Sequence, residues 1–383
     1  MASKKRYATH LTQPDGSRLY ISAGTKEEFE KKLTEVKMLI GAGVDIADQT
    51  LFQDYARLWM RAYKRGKIRE SSYVTLSINM EKHVIPYFNN VRVKDVKPMH
   101  IQMFMGSLSG LSKSVQSKCL QTVKAIFRSA VDNGLILKSP VTEDVKAGGE
   151  APEEEEALTN EQSVKLLQAV YGTRAYLFVL LLLTTGMRRG EAIGLMWEDI
   201  DFHANVIHVR HNKAFLGNAN DAPVTELLKT DASKRDLPIP PILWDALAAA
   251  QEESSAPFVF STPQGKSLTK ASFRSMWEIV DARTVGEKKA LGDPVGGGTG
   301  AKVTLDFSCH PHQLRHTYIT QLFEHGCDIK EVQYLAGHST PEMTMRVYTH
   351  YRRKCREAET KARVAQAMNY LNTAGCARLQ AAD

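Results

Sequence analysis

Nine residues near the middle of the chain limit its fold more than any other segment. The run from Gly148 to Glu156, GGEAPEEEE, contains two glycines, a proline and four successive glutamates. Such a composition cannot pack a hydrophobic core, and the run is too short to form an acidic interaction tail. A domain boundary is therefore predicted here. The 383 residues of the chain are enough for two or three domains of ordinary size.

Residues 1–45 predict a small α/β unit. The segments Arg6 to Leu11 and Arg18 to Ser22 have strand-like content and flank a Pro-Asp-Gly turn signal. A helix is expected from Thr25 to Ile40. So small a sheet hardly supports a core by itself, and units of this kind often serve as accessory binding modules.

Residues 50–147 predict a helical domain. Thr50 and Gln53 have the spacing of a capping box, which would start a helix. Further along, apolar residues recur at helical spacing in the stripe Val115, Cys119, Val123 and Phe127. Basic residues lie off this stripe, and a solvated helix face is the simplest interpretation of them: Lys113, Lys118, Lys124 and Arg128.

The third predicted domain, residues 157–383, mixes helices with short strands. Thr159 and Gln162 form another capping box, and the apolar run Tyr176 to Leu183 predicts a buried helix too short to span a bilayer. The other elements expected are strands at Val206 to His211, Glu226 to Thr230 and Arg235 to Pro240, then helices from about Lys270, interrupted by a loop from Gly292 to Gly300. The chain is thus expected to be multidomain and mainly α, with small β-sheets and a mixed α+β last domain.

Composition favours a cytoplasmic protein with a polyanionic partner. Lys and Arg number 50 against 43 Asp and Glu, and the formal net charge of +7 is compatible with nucleic acid. The five cysteines form no CxxC pair, which argues against a disulfide framework and a zinc finger and fits a reducing compartment. The polar start, MASKKRYATH, lacks the apolar core of a signal peptide, so no membrane association is expected.

Three clusters after the linker contain the candidate functional residues. They are Thr185 to Glu191 (TGMRRGE), His312 to Thr317 (HQLRHT), and Leu335 to Ser339 (LAGHS), with Tyr348 ten residues after His338. Each has an ordinary structural interpretation when taken alone. A His-x-x-Arg pair, for example, lies on one helix face and is structural at least half the time.

Taken together, the clusters match the needs of metal-free phosphodiester cleavage. That reaction needs a nucleophile, fixed positive groups for the charge on the non-bridging oxygens, and a proton donor for the leaving oxygen. Arginine suits the second role because its planar fork holds two phosphate oxygens and stays charged. A tyrosine, with an unperturbed pKa near 10, needs a base or a positive field before it can attack.

These clusters resemble the tyrosine recombinase family, also called the phage integrase family. The family pattern is an Arg in T-G-x-R, a Lys in a β-hairpin, a His-x-x-Arg, a further His or Trp in L-G-H, and a nucleophilic Tyr in Y-T-H. This sequence carries every element in order. The resemblance covers residues 157–352 strongly and residues 50–145 more loosely.

The resemblance implies which side chains would bind the phosphate. Arg188 and Arg315 would clamp the scissile phosphate, and His338 would hydrogen-bond a non-bridging oxygen. His312 would take the proton from Tyr348 or share the phosphate contacts.

It also implies how the strand would be cut and rejoined. Tyr348 would form a 3′-phosphotyrosine link, and Lys229, in Leu228-Lys229-Thr230, would protonate the leaving 5′ hydroxyl. A 5′ hydroxyl from another strand would then reverse the reaction. No cofactor, ATP or metal is required.

Some neighbouring residues have competing interpretations. Tyr351 is the rival nucleophile, although the Y-T-H match favours Tyr348, and Lys234 lies close to Lys229. Cys309, His310 and His312 suggest a metal site, but their spacing matches no zinc pattern. Arg189 is interpreted as a surface or DNA-backbone residue, and His316 and His350 as structural.

The resemblance extends to the partners. The first module is similar to the arm-binding domain of phage and conjugative-transposon integrases, which favours an integrase of a bacterial mobile element. Double-stranded DNA, a homo-tetramer on paired sites, and host or element accessory proteins that bend DNA or set direction are implied. The alternatives are a type IB topoisomerase-like enzyme and a DNA-binding regulator on a recombinase scaffold.

The C-terminal tail carries an apolar stripe at Val364, Met368 and Leu371. The stripe is expected to be buried, either by folding back on its own domain or by docking on a neighbouring subunit. The sequence leaves both open.

Overall fold

The computed structural model describes residues 7–12, 18–41, 49–149, 156–215, 219–226, 234–285, 289–295 and 301–373. The chain forms two compact units, Met1–Glu153 and Glu154–Asp383. It is mainly helical with small antiparallel sheets, which confirms the expected fold class. Among the described residues, no helix combines the length and apolar content that a membrane span requires.

The first unit begins with a hairpin and a helix. Strands β1 (Tyr7–Thr12) and β2 (Arg18–Ala23) pair antiparallel, and helix α1 (Lys26–Gly41) packs on them. The predicted turn between the strands lies outside the described residues. Both predicted strands and the helix are present to within two residues.

Helices make up the rest of the first unit. They are α2 (Phe52–Trp59), continued by a π-turn at Met60–Lys64; α3 (Glu70–Asn79), continued by a π-turn at Met80–Val84; the short α4 (Ile85–Tyr87); α5 (Pro98–Ser107); and α6 (Lys113–Asp132). The predicted stripe on α6 is inside the core, since Cys119, Val123 and Phe127 are buried. Phe52 and Phe88 pack against each other there with ring centroids 4.8 Å apart.

The predicted capping box at Thr50 and Gln53 is wrong. Helix α2 begins at Phe52, and its N-cap is Leu51, which supplies no side-chain acceptor. The chain before the helix is instead held in an extended pairing. Phe52 N donates to Val91 O, and Val93 N donates to Thr50 O. Long-range backbone pairing has overridden a local capping signal.

The second unit surrounds helix α8 (Tyr176–Thr185), the buried apolar helix predicted from the sequence. Helix α7 (Asn160–Val170) packs beside it, and the capping box of Thr159 and Gln162 is present. Next come α9 (Arg189–Gly194), β3 (Ile200–Asp201), β4 (Val206–Val209), β5 (His211–Lys213), β6 (Val224–Glu226) and β7 (Arg235–Pro238). Strands β3, β4 and β7 form one sheet in that order, and β5 pairs with β6 in another.

One expectation about this region needs correction, and another falls mostly outside the described residues. The segment Val206 to His211 is not one strand, because the chain leaves the first sheet after Val209 and enters the second at His211. The strand expected at Glu226 to Thr230 is described only as far as Glu226.

The structure also contains α10 (Pro241–Glu252), which the sequence analysis missed. Pro240 and Pro241 resemble a turn signal, yet proline at the first helical position suits a helix start, where its missing N–H has no partner to lose.

Four helices complete the described part of this unit: α11 (Lys270–Asp281), α12 (Pro311–Glu324), α13 (Ile329–Ala336) and α14 (Pro341–Thr373). Helix α12 packs against α8, α13 and α14. Helix α14 is continuous through the C-terminal tail, where Val364 is 55% exposed and Met368 is 50% exposed. These two residues therefore do not fold back on their own domain.

Candidate active site

A glycine in the left-handed backbone conformation determines the position of the first candidate arginine. Helix α8 ends at Gly186, with φ of 61°, and a Cβ at this position would lie 2.2 Å from Cδ1 of Tyr318. Glycine alone fits both the conformation and the space. Two residues later the chain is extended at Arg188, which is the N-cap of α9. The Gly in the T-G-x-R pattern thus sets where Arg188 begins its helix.

Arg315 reaches the same place from α12. Its side chain is almost fully buried, with 2% of the residue exposed. Nη1 donates to Gly186 O at 2.5 Å, and Nη2 donates to Ala336 O. Burial, together with the neighbouring charge of Arg188, lowers the pKa of Arg315 to about 9, which leaves the guanidinium charged at neutral pH.

Three arginines meet the C-terminal end of α13. Three successive carbonyl oxygens accept from three different guanidinium groups: Leu335 O from Arg235 Nε at 2.8 Å, Ala336 O from Arg315 Nη2, and Gly337 O from Arg188 Nη2 at 2.5 Å. The last carbonyls of a helix have no partner within the helix, and they form the negative end of its dipole. The end of α13 therefore draws three cations together.

One buried carboxylate lies among these cations. Glu191 accepts from Arg188 N at 2.7 Å and from Arg188 Nη1 at 2.8 Å. It also accepts from Arg235 Nη2 at 2.8 Å and from Arg235 Nη1 at 3.2 Å. Burial raises the pKa of Glu191, but the two arginines outweigh that effect and lower the pKa to about 2. The three guanidinium groups and this carboxylate sum to a net positive cluster.

His338 lies at the edge of this cluster. It is buried, and its Nδ1 lies 2.8 Å from Oγ1 of the fully buried Thr344 on α14. Burial, together with the charges of Arg315, Arg188, Arg235 and His312, lowers the pKa of His338 to about 4. The imidazole is therefore neutral at pH 7.

His312 is exposed in the first turn of α12, one turn before Arg315. Because its charge contributes to the lowered pKa of His338, His312 lies within electrostatic range of that residue. The structure thus brings Arg188, Arg315, His338 and His312 into one region, as their order in the predicted motifs implied.

Tyr348 lies on α14, one turn after Thr344, and is half-buried. Residues four apart on a helix share a face, so the bond from Thr344 to His338 ties the helix bearing Tyr348 to the cluster. The Tyr348 ring packs against Phe323 with centroids 5.2 Å apart. Tyr351 stacks on the same Phe323, and a hydrogen bond with Cys355 raises the pKa of Tyr351.

Lys229 lies outside the described residues. Lys234, its neighbour in sequence, is exposed just before β7. Arg189 lies over the ring of Phe273 at 5.4 Å. Among the residues that the structure describes, no His, Cys, Asp and Glu side chains form a group that could hold a metal ion.

The contacts of Glu191, Arg235 and Thr344 in this cluster were not predicted from the sequence. One signal for Arg235 was available. Along β7 the burial alternates, and Arg235 occupies the same inward face as Leu237. A charged residue at an inward position of a strand needs a buried partner. The sequence offered no signal that the partner is Glu191.

Comparison with protein families matches two regions of the chain. The model for the phage integrase family matches residues 156–354. The model for the N-terminal SAM-like domain of phage integrases matches residues 51–109.

Curated relatives match along most of the chain. A tyrosine recombinase XerC-like protein of Caldanaerobacter subterraneus is 28% identical over 85% of this chain and 86% of its own length. The transposase from transposon Tn916 of Enterococcus faecalis is 25% identical over 86% of this chain and 82% of its own length.

Solved structures share the fold. The Tn1549 transposon integrase, in complex with a circular intermediate DNA, matches 78% of this chain and 95% of that chain, with a TM-score of 0.63 and 22% identity. A lambda integrase tetramer bound to a Holliday junction matches 89% of this chain and 94% of that chain, with a TM-score of 0.56 and 14% identity.

Proposed function

The chain belongs to the phage integrase family and is a site-specific DNA recombinase of the tyrosine type, and from this premise we propose that Tyr348 is its nucleophile. The observation that carries the proposal is the convergence of Arg188, Arg315 and His338 at the end of α13, with the Tyr348 helix attached through Thr344. This arrangement supports a positive site for one phosphate, with Tyr348 one helical turn from the Thr344 that contacts His338.

The proposed first step forms one bond and breaks another. Tyr348 Oη attacks the scissile phosphorus, a 3′-phosphotyrosine bond forms, and the bond to the 5′ oxygen breaks. The phenol proton passes to His312, and Lys229 donates a proton to the departing 5′ oxygen. A 5′ hydroxyl of a second strand then attacks the phosphotyrosine, which restores the phenol and joins the new strands.

The proposed phosphate contacts follow from charge and hydrogen bonding. Arg315 is held by two carbonyls and Arg188 by Glu191 and Gly337 O, so both guanidinium groups are oriented before DNA arrives. Preorganised donors of this kind are the largest single source of rate in such reactions. If Thr344 Oγ1 donates to Nδ1, the neutral His338 carries its proton on Nε2, where it would donate to a non-bridging oxygen.

We further propose three domains with separate tasks. Residues 1–45 would bind arm-type DNA sites, residues 50–147 the core site, and residues 157–383 would carry the chemistry. Support for the second comes from α6, whose basic residues are exposed on the side away from the buried stripe: Lys113, Lys118, Lys124 and Arg128. The structural neighbours are integrases bound to DNA.

The working assembly is proposed to be a homo-tetramer on two paired DNA sites, with accessory proteins that bend DNA or set direction. The exposed Val364 and Met368 support docking of the tail on a neighbouring subunit. Truncation after about residue 357 is then expected to leave DNA binding and reduce tetramer assembly in gel-shift experiments. Normal assembly by the truncated chain would contradict the docking.

The function is tested in two stages. Expression of the chain with the DNA that flanks its gene, followed by sequencing of the junctions, identifies the recombination site. A nicked duplex with that site then traps the covalent protein–DNA adduct. The adduct is expected to form in excess EDTA, because arginines and not a metal stabilise the charge.

The outcomes separate the alternatives. Adduct without strand exchange between two sites would indicate a topoisomerase, and DNA binding without adduct would indicate a regulator. Loss of the adduct in EDTA and its return with magnesium would contradict the proposed site.

A further inference from the structure

A buried arginine outside the proposed phosphate-binding set connects the parts of the site. Arg235 begins β7, and its side chain is fully shielded from solvent. Its forked end donates to both oxygens of Glu191, and its Nε donates to Leu335 O. The three contacts of this guanidinium are all with protein acceptors, and its burial shields it from any ligand that approaches from solvent.

Both groups that hold Arg188, the Glu191 carboxylate and the end of α13, are also contacted by Arg235. Arg188 is held on one side by Glu191, through its backbone N–H and its Nη1, and Glu191 is paired with Arg235. On the other side Arg188 Nη2 donates to Gly337 O, and Gly337 lies two residues after the carbonyl that accepts from Arg235 Nε. The position of Arg188 therefore depends on the buried Arg235 side chain through both of these contacts.

Arg235 also determines the net charge of the group formed with Arg188 and Glu191. Without it, Glu191 and Arg188 would form a simple ion pair, and the carboxylate would cancel the positive charge that a phosphate needs. With Arg235 present, two guanidinium groups share one carboxylate, and the cluster keeps a net positive charge. Arg188 is the more exposed of the two, with 37% of its side chain accessible, so the surplus charge lies on the side open to DNA.

We propose that Arg235 is a positioning residue for strand cleavage, which orients Arg188 and keeps it electrostatically available without touching the DNA. The proposal rests on the proposed function, since it concerns the rate of the cleavage assigned there. Lysine cannot replace arginine in this role, because one ammonium group cannot span Glu191 and Leu335 O with a rigid fork.

A second residue lies against the same guanidinium. Gly337 has φ of 61°, and a Cβ there would lie 2.8 Å from Arg235 Nη1. Gly337→Ala therefore displaces Arg235 and changes no charge, while the carbonyl that accepts from Arg188 stays in the chain. If Arg235 acts by position, both substitutions must affect cleavage in the same way.

The experiment measures single-turnover adduct formation at saturating protein on the nicked duplex, with the Kd for the same duplex and the Tm of each variant. For Arg235→Lys we expect the cleavage rate to fall about 100-fold, the loss typical of a reacting group displaced by about 1 Å, with Kd unchanged. Gly337→Ala should reproduce this split between rate and Kd. Arg274→Lys is the matched control, because Arg274 pairs with Glu278 on the exposed face of α11.

The results distinguish this inference from the proposed function. If the wild-type chain forms no adduct, the proposed function fails. If the wild type cleaves and folded Arg235→Lys cleaves at the same rate, the inference alone is overturned. Where Arg235→Lys does not fold, Gly337→Ala decides in the same way. Loss of folding in both variants would make Arg235 a stability residue only and would also overturn the inference.

Discussion

The interiors of the two units differ in what they bury. In the helical part of the first unit, the described core consists of apolar and aromatic side chains such as Phe52, Phe104 and Phe127. The buried polar residues described there are uncharged: Gln116, Thr122 and Ser129. The second unit buries Glu191, Arg235 and Arg315 beside an ordinary apolar core.

This contrast separates an interior that mainly stabilises the fold from one that also holds charged groups. A buried ion costs several kcal/mol unless it is paired and hydrogen-bonded, and an apolar core of similar volume is often more stable. A cluster with three guanidinium groups and one carboxylate is therefore a poor way to stabilise a fold. It is well suited to binding a phosphate, which agrees with the proposal that the second unit carries the reaction.

The largest expected effect comes from the nucleophile. Tyr348→Phe should abolish the covalent adduct and leave DNA binding intact, because only the attacking oxygen is lost. Denaturing gel electrophoresis of the trapped complex measures the adduct, and a gel shift measures binding. Tyr351→Phe is the matched control and should still cleave. An adduct that persists in Tyr348→Phe and disappears in Tyr351→Phe would transfer the role to Tyr351.

A core substitution in the first unit should act on stability alone. Phe127→Ala removes a fully buried ring and is expected to destabilise the unit by about 3–5 kcal/mol. Urea denaturation measures the free energy of unfolding. The cleavage rate of the protein that remains folded and bound should be unchanged, and a selective loss of that rate would place chemistry in the first unit.

A substitution in the charged cluster should instead act mainly on the cleavage rate. Arg315→Lys keeps the positive charge, but it loses the fork that spans Gly186 O, Ala336 O and a phosphate. The cleavage rate should fall about 10²–10³-fold, as when one preorganised donor is removed from a transition state. Single-turnover kinetics on the nicked duplex measure the rate. Equal rates for Arg315→Lys and wild type would remove Arg315 from the phosphate site.

The second unit should also be the more acid-sensitive. The pKa of His338 is near 6.5 when unfolded and about 4 when folded, so the unfolded state binds more protons between these values. Stability is therefore fully present above pH 6.5 and declines as the pH falls towards 4, by at most about 1.4 kcal/mol per pH unit for one proton. His338→Gln should flatten this slope in Tm measurements. An unchanged slope would mean that His338 does not titrate as its burial implies.

The smallest effect expected concerns the exposed basic face of the first unit. Lys124 and Arg128 lie one turn apart on α6 and are both exposed. If each contacts a phosphate, replacing either by Gln should reduce the slope of log Kd against log salt by about 0.9. Lys165→Gln is the control, because Lys165 is paired with Glu161 on α7. Unchanged slopes for both α6 variants would leave this face solvated and away from DNA.

Much of the architecture follows from local patterns. The stripe on α6, the buried helix α8 and the capping box at Thr159 depend on residues close together in sequence, and all three are present. The capping box at Thr50 failed because backbone pairing with residues 91–93 decided the helix start. Helix α10 was missed, although a proline at the first helical position, such as Pro241, suits a helix start.

The sequence by itself determined the reaction class, because an ordered set of motifs placed Arg188, His312, Arg315, His338 and Tyr348 in one family pattern. It did not determine how those residues are held. Glu191 and Arg235 lie 44 positions apart, and Arg188 and Gly337 lie 149 positions apart. No local pattern encodes such a pair, since its energy exists only once α9, β7 and the end of α13 are packed together. The tertiary structure alone decided that three arginines share one helix end and that two of them share one buried carboxylate.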